Sequence, residues 1–404
     1  MKSLAGNIHF KSPLFDFQLL RALHHARYGG PDIGECLAIC LRIREGNRED
    51  WFSEWTAAGE RWQSIAEDFL VQKNPASARR MFLRAFECHR SAAYFLLANP
   101  GDPLLHSVVN KMQHCFRRAG EWMDGRMQVL TIPYEGSTLP GYYIQPENRS
   151  GPRPTLIINT GYTSFCEEAY FLGGAAALER GWNILLYDGP GQGSALIKQG
   201  LRFRPDWETV LTPVLNHAET LPGIDPKRIA VFGRSFNSLL SVRALASEPR
   251  VAAFLADPGE YNKYRDVVRD FPPSVRVAFD HGDDGPMRDY LARKMQDPDT
   301  EFSWQCRMQA HGTATPIDYI HELKKYDFTA FVEGIRCPTA VSCADHDDRG
   351  TEQAKEMVDL LKCEKTYFPF YAEQGAGEHC QVGAPELCYQ TFYDWLETIL
   401  QRLH

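Results

Sequence analysis

Between residues 155 and 256, short apolar runs alternate with stretches of helical period, and this alternation constrains the fold more than any other feature of the chain. The runs at 155–159, 183–187, 229–232 and 251–256 are too brief for helices, and hardly a polar residue interrupts them. Stretches 167–180, 207–220 and 238–247, lying between them, carry helical spacing. Strands buried on both faces read as continuous apolar runs, and strand–helix–strand repetition builds a mostly parallel, doubly wound α/β sheet. Functional residues then belong at the carboxyl ends of the strands. The pattern resumes at 338–343 and 366–370 and closes on an amphipathic helix at 385–400.

The remainder divides around that sheet. Residues 1–124 carry apolar positions at three- and four-residue spacing over 14–25, 33–44, 51–71, 76–97 and 104–123, which predicts an all-helical domain. Its many aromatics, among them Trp51, Trp55, Phe82, Phe86, Tyr94 and Phe116, are expected in the core, with a few lining a cavity. A second domain, 125–404, opens on an antiparallel hairpin at 127–134 and 139–145, where the period changes to two. Within it the rhythm lapses over 261–331, too long for a structureless loop, so a helical insertion over the strand ends is expected.

Bulk properties narrow the partners. A net charge of −8 argues against nucleic acid, which selects a basic face. The 11 cysteines stand singly, with no CxxC pair, which suits reduced buried thiols rather than disulfides or a zinc site. No run approaches the roughly 18 apolar residues of a membrane span. A cytoplasmic enzyme acting on a small molecule, with no membrane or nucleic-acid partner, fits these limits.

Ile229-Ala230-Val231-Phe232-Gly233-Arg234-Ser235-Phe236-Asn237 gives the chemistry its starting point. An apolar strand that stops at a glycine, with serine two residues later and a helix beyond, is the setting of a nucleophile elbow. Ser235 is the candidate nucleophile, although Asn237 stands where the common G-x-S-x-G pattern has its last glycine. Arg234 reads as structural, or as a contact for an anionic substrate group.

A serine hydroxyl needs a base within hydrogen-bond reach, itself oriented by a carboxylate. His379 lies in a glycine-rich loop after the 366–370 run and is the candidate base. Asp345, Asp347 and Asp348 follow the 338–343 run; we take Asp347 for the orienting role and read the other two as solvated loop residues or helix caps. The oxyanion of a tetrahedral intermediate needs two N–H donors. Phe236, following the nucleophile, supplies one amide, and Tyr162, in the loop Asn159-Thr160-Gly161-Tyr162, the other. Asp188-Gly189-Pro190-Gly191-Gln192-Gly193 lacks the Lys-Ser/Thr of a phosphate-binding loop and reads as a structural turn.

Gly161-Tyr162, the Leu185–Gly193 segment, Phe203-Arg204-Pro205-Asp206-Trp207-Glu208, Ala256-Asp257-Pro258-Gly259 and Glu373-Gln374-Gly375-Ala376-Gly377-Glu378-His379-Cys380 together resemble one α/β-hydrolase group. It has an N-terminal helical domain and includes the FrsA-like esterases, 2,6-dihydroxypseudooxynicotine hydrolase and fungal polyketide-shortening hydrolases of pigment biosynthesis. The resemblance covers 126–404 by motif and the helical part by architecture alone. It implies that Ser235, Asp347 and His379 form the triad and that no cofactor or metal is used. It further implies that a carbon–carbon bond of a β-diketone-like substrate, or an ester, is cleaved beneath a helical cap that often supports a homodimer. The chain departs from the group at Asn237-Ser238, where the elbow usually ends in glycines, and at Asp345-His346-Asp347, where the group commonly has Glu-x-Asp. Two other readings stay open: release, condensation or cyclisation of a biosynthetic intermediate without water, and binding without catalysis.

Overall fold

The computed structural model describes residues 2–123, 126–147, 150–347 and 351–403. Eight strands form one sheet: β1 (Met127–Tyr134), β2 (Ser137–Ile144), β3 (Arg153–Asn159), β4 (Asn183–Tyr187), β5 (Ile224–Arg234), β6 (Ala253–Asp257), β7 (Thr339–Ala344) and β8 (Lys365–Phe370). Their order across the sheet is β1-β2-β4-β3-β5-β6-β7-β8. The hairpin β1–β2 and the β2–β4 pair are antiparallel; every pair beyond β4 is parallel.

Alternate residues of each strand feed two apolar layers. On β5, Ala230 and Phe232 face one layer while Ile229 and Val231 face the other. The first layer joins the sheet to the closing helix Pro385–Gln401 and to the helices that precede the sheet, in one cluster running from Phe15, Trp51 and Phe86 to Ile158 and Phe232. The second holds the helices Glu208–Ala218 and Phe236–Leu245 together with those between β6 and β7.

The five helical stretches expected before the sheet form the helices Pro13–His24, Ile33–Cys40, Arg48–Val71, Pro75–Ala93 and Pro103–Glu121. Their starts follow capping chemistry: Ser12, Asn47 and Asp102 accept from backbone amides of the first turn, and proline occupies the first position of three of them. Trp51, Trp55, Phe82, Phe86 and Phe116 are fully buried, as expected of core aromatics. The expected boundary at 124–125 lies outside the described residues.

The stretch 167–180 is not one helix. A 3₁₀ turn, Cys166–Tyr170, is followed by the short helix Gly174–Glu179, and between them Gly173 takes φ +118°, which a side chain would oppose. Between β6 and β7 the chain forms the helices Lys263–Val268, Pro273–Asp280, Gly285–Lys294, Pro298–His311, Pro316–Leu323 and Thr329–Val332, which accounts for the lapse in the strand rhythm. No helix of the described residues is long and apolar enough to cross a membrane. All the cysteines are free thiols.

Candidate active site

Ser235 stands at the carboxyl end of β5 with φ +55° and ψ −132°, backbone angles that cost about 1–3 kcal/mol and persist only where the surroundings impose them. Here they do. The Ser235 amide donates to the Asp257 carbonyl at the end of β6, 2.7 Å away, and the helix Phe236–Leu245 begins at the next residue. Strand and helix nearly touch, since a Cβ on Gly233 would lie 2.8 Å from Ser238 Cα. Asn237 fits because its side chain turns along its own helix: its Oδ1 accepts from Ser241 Oγ at 3.1 Å, so the strand is not pushed away.

His379 arrives from the loop after β8. Its Nε2 lies 2.8 Å from Ser235 Oγ and its Nδ1 2.6 Å from Asp347 Oδ2. Burial alone would push this imidazole down, but the buried Asp347 carboxylate outweighs it and holds the ring well above its ordinary value. The loop is tied on all sides. Ser3 Oγ and the Leu4 amide donate to Glu378 at 2.8 and 2.6 Å, Arg234 donates to the Cys380 carbonyl at 2.5 Å, and Gln381 Nε2 to Asp257 Oδ1 at 3.0 Å. Cys380 and Gln381 both adopt positive φ, so this loop, like the elbow, stores backbone strain.

The other acid candidates separate by position. Asp345 is exposed, yet it is no free loop residue: its carboxylate accepts from the Ala372 amide at 2.8 Å and joins the loops after β7 and β8. Asp348 lies outside the described residues. Arg234 is structural, buried and bonded to the Leu172 carbonyl and Tyr389 hydroxyl as well as to Cys380.

Gly161 crosses directly over the elbow. A Cβ there would stand 2.6 Å from the Phe236 nitrogen and 2.8 Å from Ser235 Oγ, so only glycine leaves this space open. Tyr162 stacks on Phe236 with ring centroids 4.4 Å apart and 19° between planes, and its hydroxyl lies 2.7 Å from His311 Nε2. The residues that carry the two expected oxyanion amides are therefore packed against each other. The turn at 188–193 braces the same loop: Asp188 accepts from the Cys166 and Ser194 amides at 2.7 and 2.8 Å, and Gln192 Nε2 donates to Asn159 at 2.8 Å.

Above Ser235 and His379 opens a cavity of about 540 Å³. Its walls come from the first helix (Leu14, Phe17, Arg21), from Tyr94, and from the segment after β6 (Glu260, Lys263, Arg307). Among the aromatics noted in the sequence, Tyr94 is the one that reaches it. Arg21, missed in the sequence, carried a signal: a cation inside Leu19-Leu20-Arg21-Ala22-Leu23 must bury its charge against a partner, here Glu168, with Ser164 Oγ at 2.9 Å and the Thr163 carbonyl at 3.2 Å.

A strand–elbow–helix serine, a late-strand carboxylate and a terminal-loop histidine on a mostly parallel sheet define an α/β-hydrolase. The chain belongs more narrowly to the FrsA-like esterases: the family model "Esterase FrsA-like" matches residues 34–257. It is similar to Hydrolase LUC6 of Fusarium sp, 31% identical and covering 96% of this chain and 97% of that protein. It is also 28% identical to 20-hydroxy-prefusarin hydrolase FUS2 of Gibberella moniliformis, over 96% of this chain and 97% of that protein. In fold it resembles the crystal structure of the 2,6-dihydroxy-pseudo-oxynicotine hydrolase, with a TM-score of 0.71, 19% identity, and coverage of 93% of this chain and 95% of that one.

Proposed function

We propose that the protein is a cofactor-independent serine hydrolase that cleaves a carbon–carbon bond in a β-diketone-like compound, or an ester, of polyketide type. The observation that carries this reading is the unbroken relay Ser235 Oγ, His379, Asp347, with contacts of 2.8 and 2.6 Å. With its Nδ1 proton facing Asp347, the imidazole accepts the Ser235 proton at Nε2 as the oxygen attacks the substrate carbonyl. The Asp347 carboxylate stabilises the imidazolium that forms. The carbonyl oxygen becomes an oxyanion in the space beside Gly161, where the Phe236 and Tyr162 amides donate to it. The imidazolium then returns the proton to the leaving oxygen, or to carbon when the leaving group is an enolate, and water repeats the sequence to free the enzyme.

Residues 1–124 and 261–331 act in this reading as two lids, which is supported by Leu14, Phe17 and Arg21 on one side of the cavity and Lys263 and Arg307 on the other. The relation to the 20-hydroxy-prefusarin hydrolase of Gibberella moniliformis supports a substrate of this general kind, a fungal metabolite, and the polyketide type follows from the family resemblance. Fluorophosphonate labelling tests the reading. Wild-type protein takes up one label, and Ser235→Ala takes up none; a label retained by the alanine variant excludes Ser235 as nucleophile. Turnover in ¹⁸O-water separates hydrolysis, which leaves one solvent oxygen in the product, from release or cyclisation without water.

A further inference from the structure

The charged side chains lining the cavity form a ledger with one surplus donor. Lys263 is paired with Glu260 at 3.2 Å and Asp266 at 2.7 Å. Arg21 is bonded to Glu168, Arg234 to the Leu172 and Cys380 carbonyls and the Tyr389 hydroxyl, and Arg269 to Asp270 at 3.0 Å. The two carboxylates left, Glu260 and Asp347, are engaged by Lys263 and His379. Arg307, on the helix Pro298–His311, differs. Its guanidinium has no hydrogen bond and no ion pair among the described residues; it lies half-buried on the cavity wall, 5.7 Å above the Tyr162 ring. Asp266 acts on it through space while bonded to Lys263.

A guanidinium offers five N–H donors in a planar fork, and leaving such a group partly desolvated without an acceptor is costly. The fork matches a planar anion with two oxygens on one side. Here it lies over the ring of Tyr162, which stacks on Phe236, the residue after Ser235, so guanidinium and nucleophile face one cavity and a single substrate can meet both. From this surplus donor we infer that Arg307 is the recognition group for an anionic substrate, one whose acyl part carries a carboxylate or an ionised 1,3-dicarbonyl. The inference rests on the reading of the cavity as the substrate site. It makes the pocket selective: a neutral acyl chain of equal length leaves the guanidinium unpaired, whereas the anion satisfies it.

Direct binding to the full-length protein tests this without needing turnover. Hexanoate and its neutral isostere hexanamide are titrated calorimetrically into wild type, Arg307→Gln and Arg307→Lys. Wild type is expected to bind hexanoate about tenfold more tightly or better, the range of a charge-assisted pair of hydrogen bonds. Arg307→Gln loses that preference, and Arg307→Lys keeps part of it. Equal affinity for the two probes in wild type, no binding of hexanoate, or an undiminished preference in Arg307→Gln overturns the assignment. The wild-type comparison stands even if a variant fails to fold. Acetylacetone titrated below and above its ionisation extends the comparison to the diketonate: tighter binding of the ionised form supports that class, and indifference to ionisation removes it. Fluorophosphonate labelling of the same preparation reads Ser235 alone, so a failed serine and a failed anion site give different results.

Discussion

Ser235 and His379 meet across 2.8 Å, yet opposite means hold them there. The serine is positioned by close backbone packing: Gly161 on one side, Gly233 on the other, and a strand hydrogen bond to Asp257. The histidine is positioned by polar side chains reaching in from Asp347, Glu378, Arg234 and Gln381. A site built by steric exclusion fails abruptly when an atom is added, whereas a tethered site fails by degrees as single bonds are removed. Both kinds of support are needed because the serine ends a core strand while the histidine sits on a loop that no strand ladder fixes.

The comparison can be broken from either side. Asp347→Asn gives the largest expected effect: a side chain that no longer favours the Nδ1-protonated imidazole lowers kcat by about 10⁴-fold, read as ester turnover with Ser235 still present. Gly161→Ala follows. Its methyl group would occupy the space beside the Phe236 amide, so kcat falls by about 10²–10³-fold, the loss typical of one oxyanion donor, and because the methyl meets backbone the overpacking also costs about 1–3 kcal/mol of stability. Glu378→Gln weakens the tether without touching the reacting groups. It is expected to lower Tm and to cost about 1–3 kcal/mol through the Ser3 and Leu4 bonds, with kcat reduced several-fold and KM little changed.

The smallest effect sharpens the electrostatics. The base must be neutral to accept the serine proton, and Asp347 holds its pKa above the ordinary imidazole value. Activity therefore rises with pH along a limb centred above that value. In Asp347→Asn the residual limb moves to lower pH, because burial then acts on the ring without the opposing carboxylate. A limb that stays in place in the variant assigns the titration to another group.

Much of this was readable before any coordinates. The strand–helix alternation marks the sheet because buried parallel strands need unbroken apolar runs, and Ser235, Asp347 and His379 each follow such a run. Period and spacing carry that information locally. The break at Gly173 had only the Gly173-Gly174 pair to mark it within a helical pattern of Ala and Leu, and a contact that fixes it, the Tyr393 hydroxyl donating to the Gly173 carbonyl at 2.8 Å, comes from 220 positions away. The tie between Ser3 and Glu378 escaped for the same reason: a surface-type serine and a loop carboxylate carry no periodicity, and only the folded chain makes them neighbours. Arg307 likewise sits in a helix of mixed polarity, where an unpaired cation reads like any solvated one.

The Ser3–Glu378 hydrogen bond joins positions 375 apart, and it abuts the residue expected to accept the serine proton. Contacts so remote in sequence close late, after the loop entropy of the intervening chain has been overcome. During refolding, competence for turnover should therefore trail the recovery of helical content and of buried tryptophan fluorescence. A chain still being made holds Ser235 without its base, since His379 follows 144 positions later, so a reactive serine is not displayed before the His379 loop has docked.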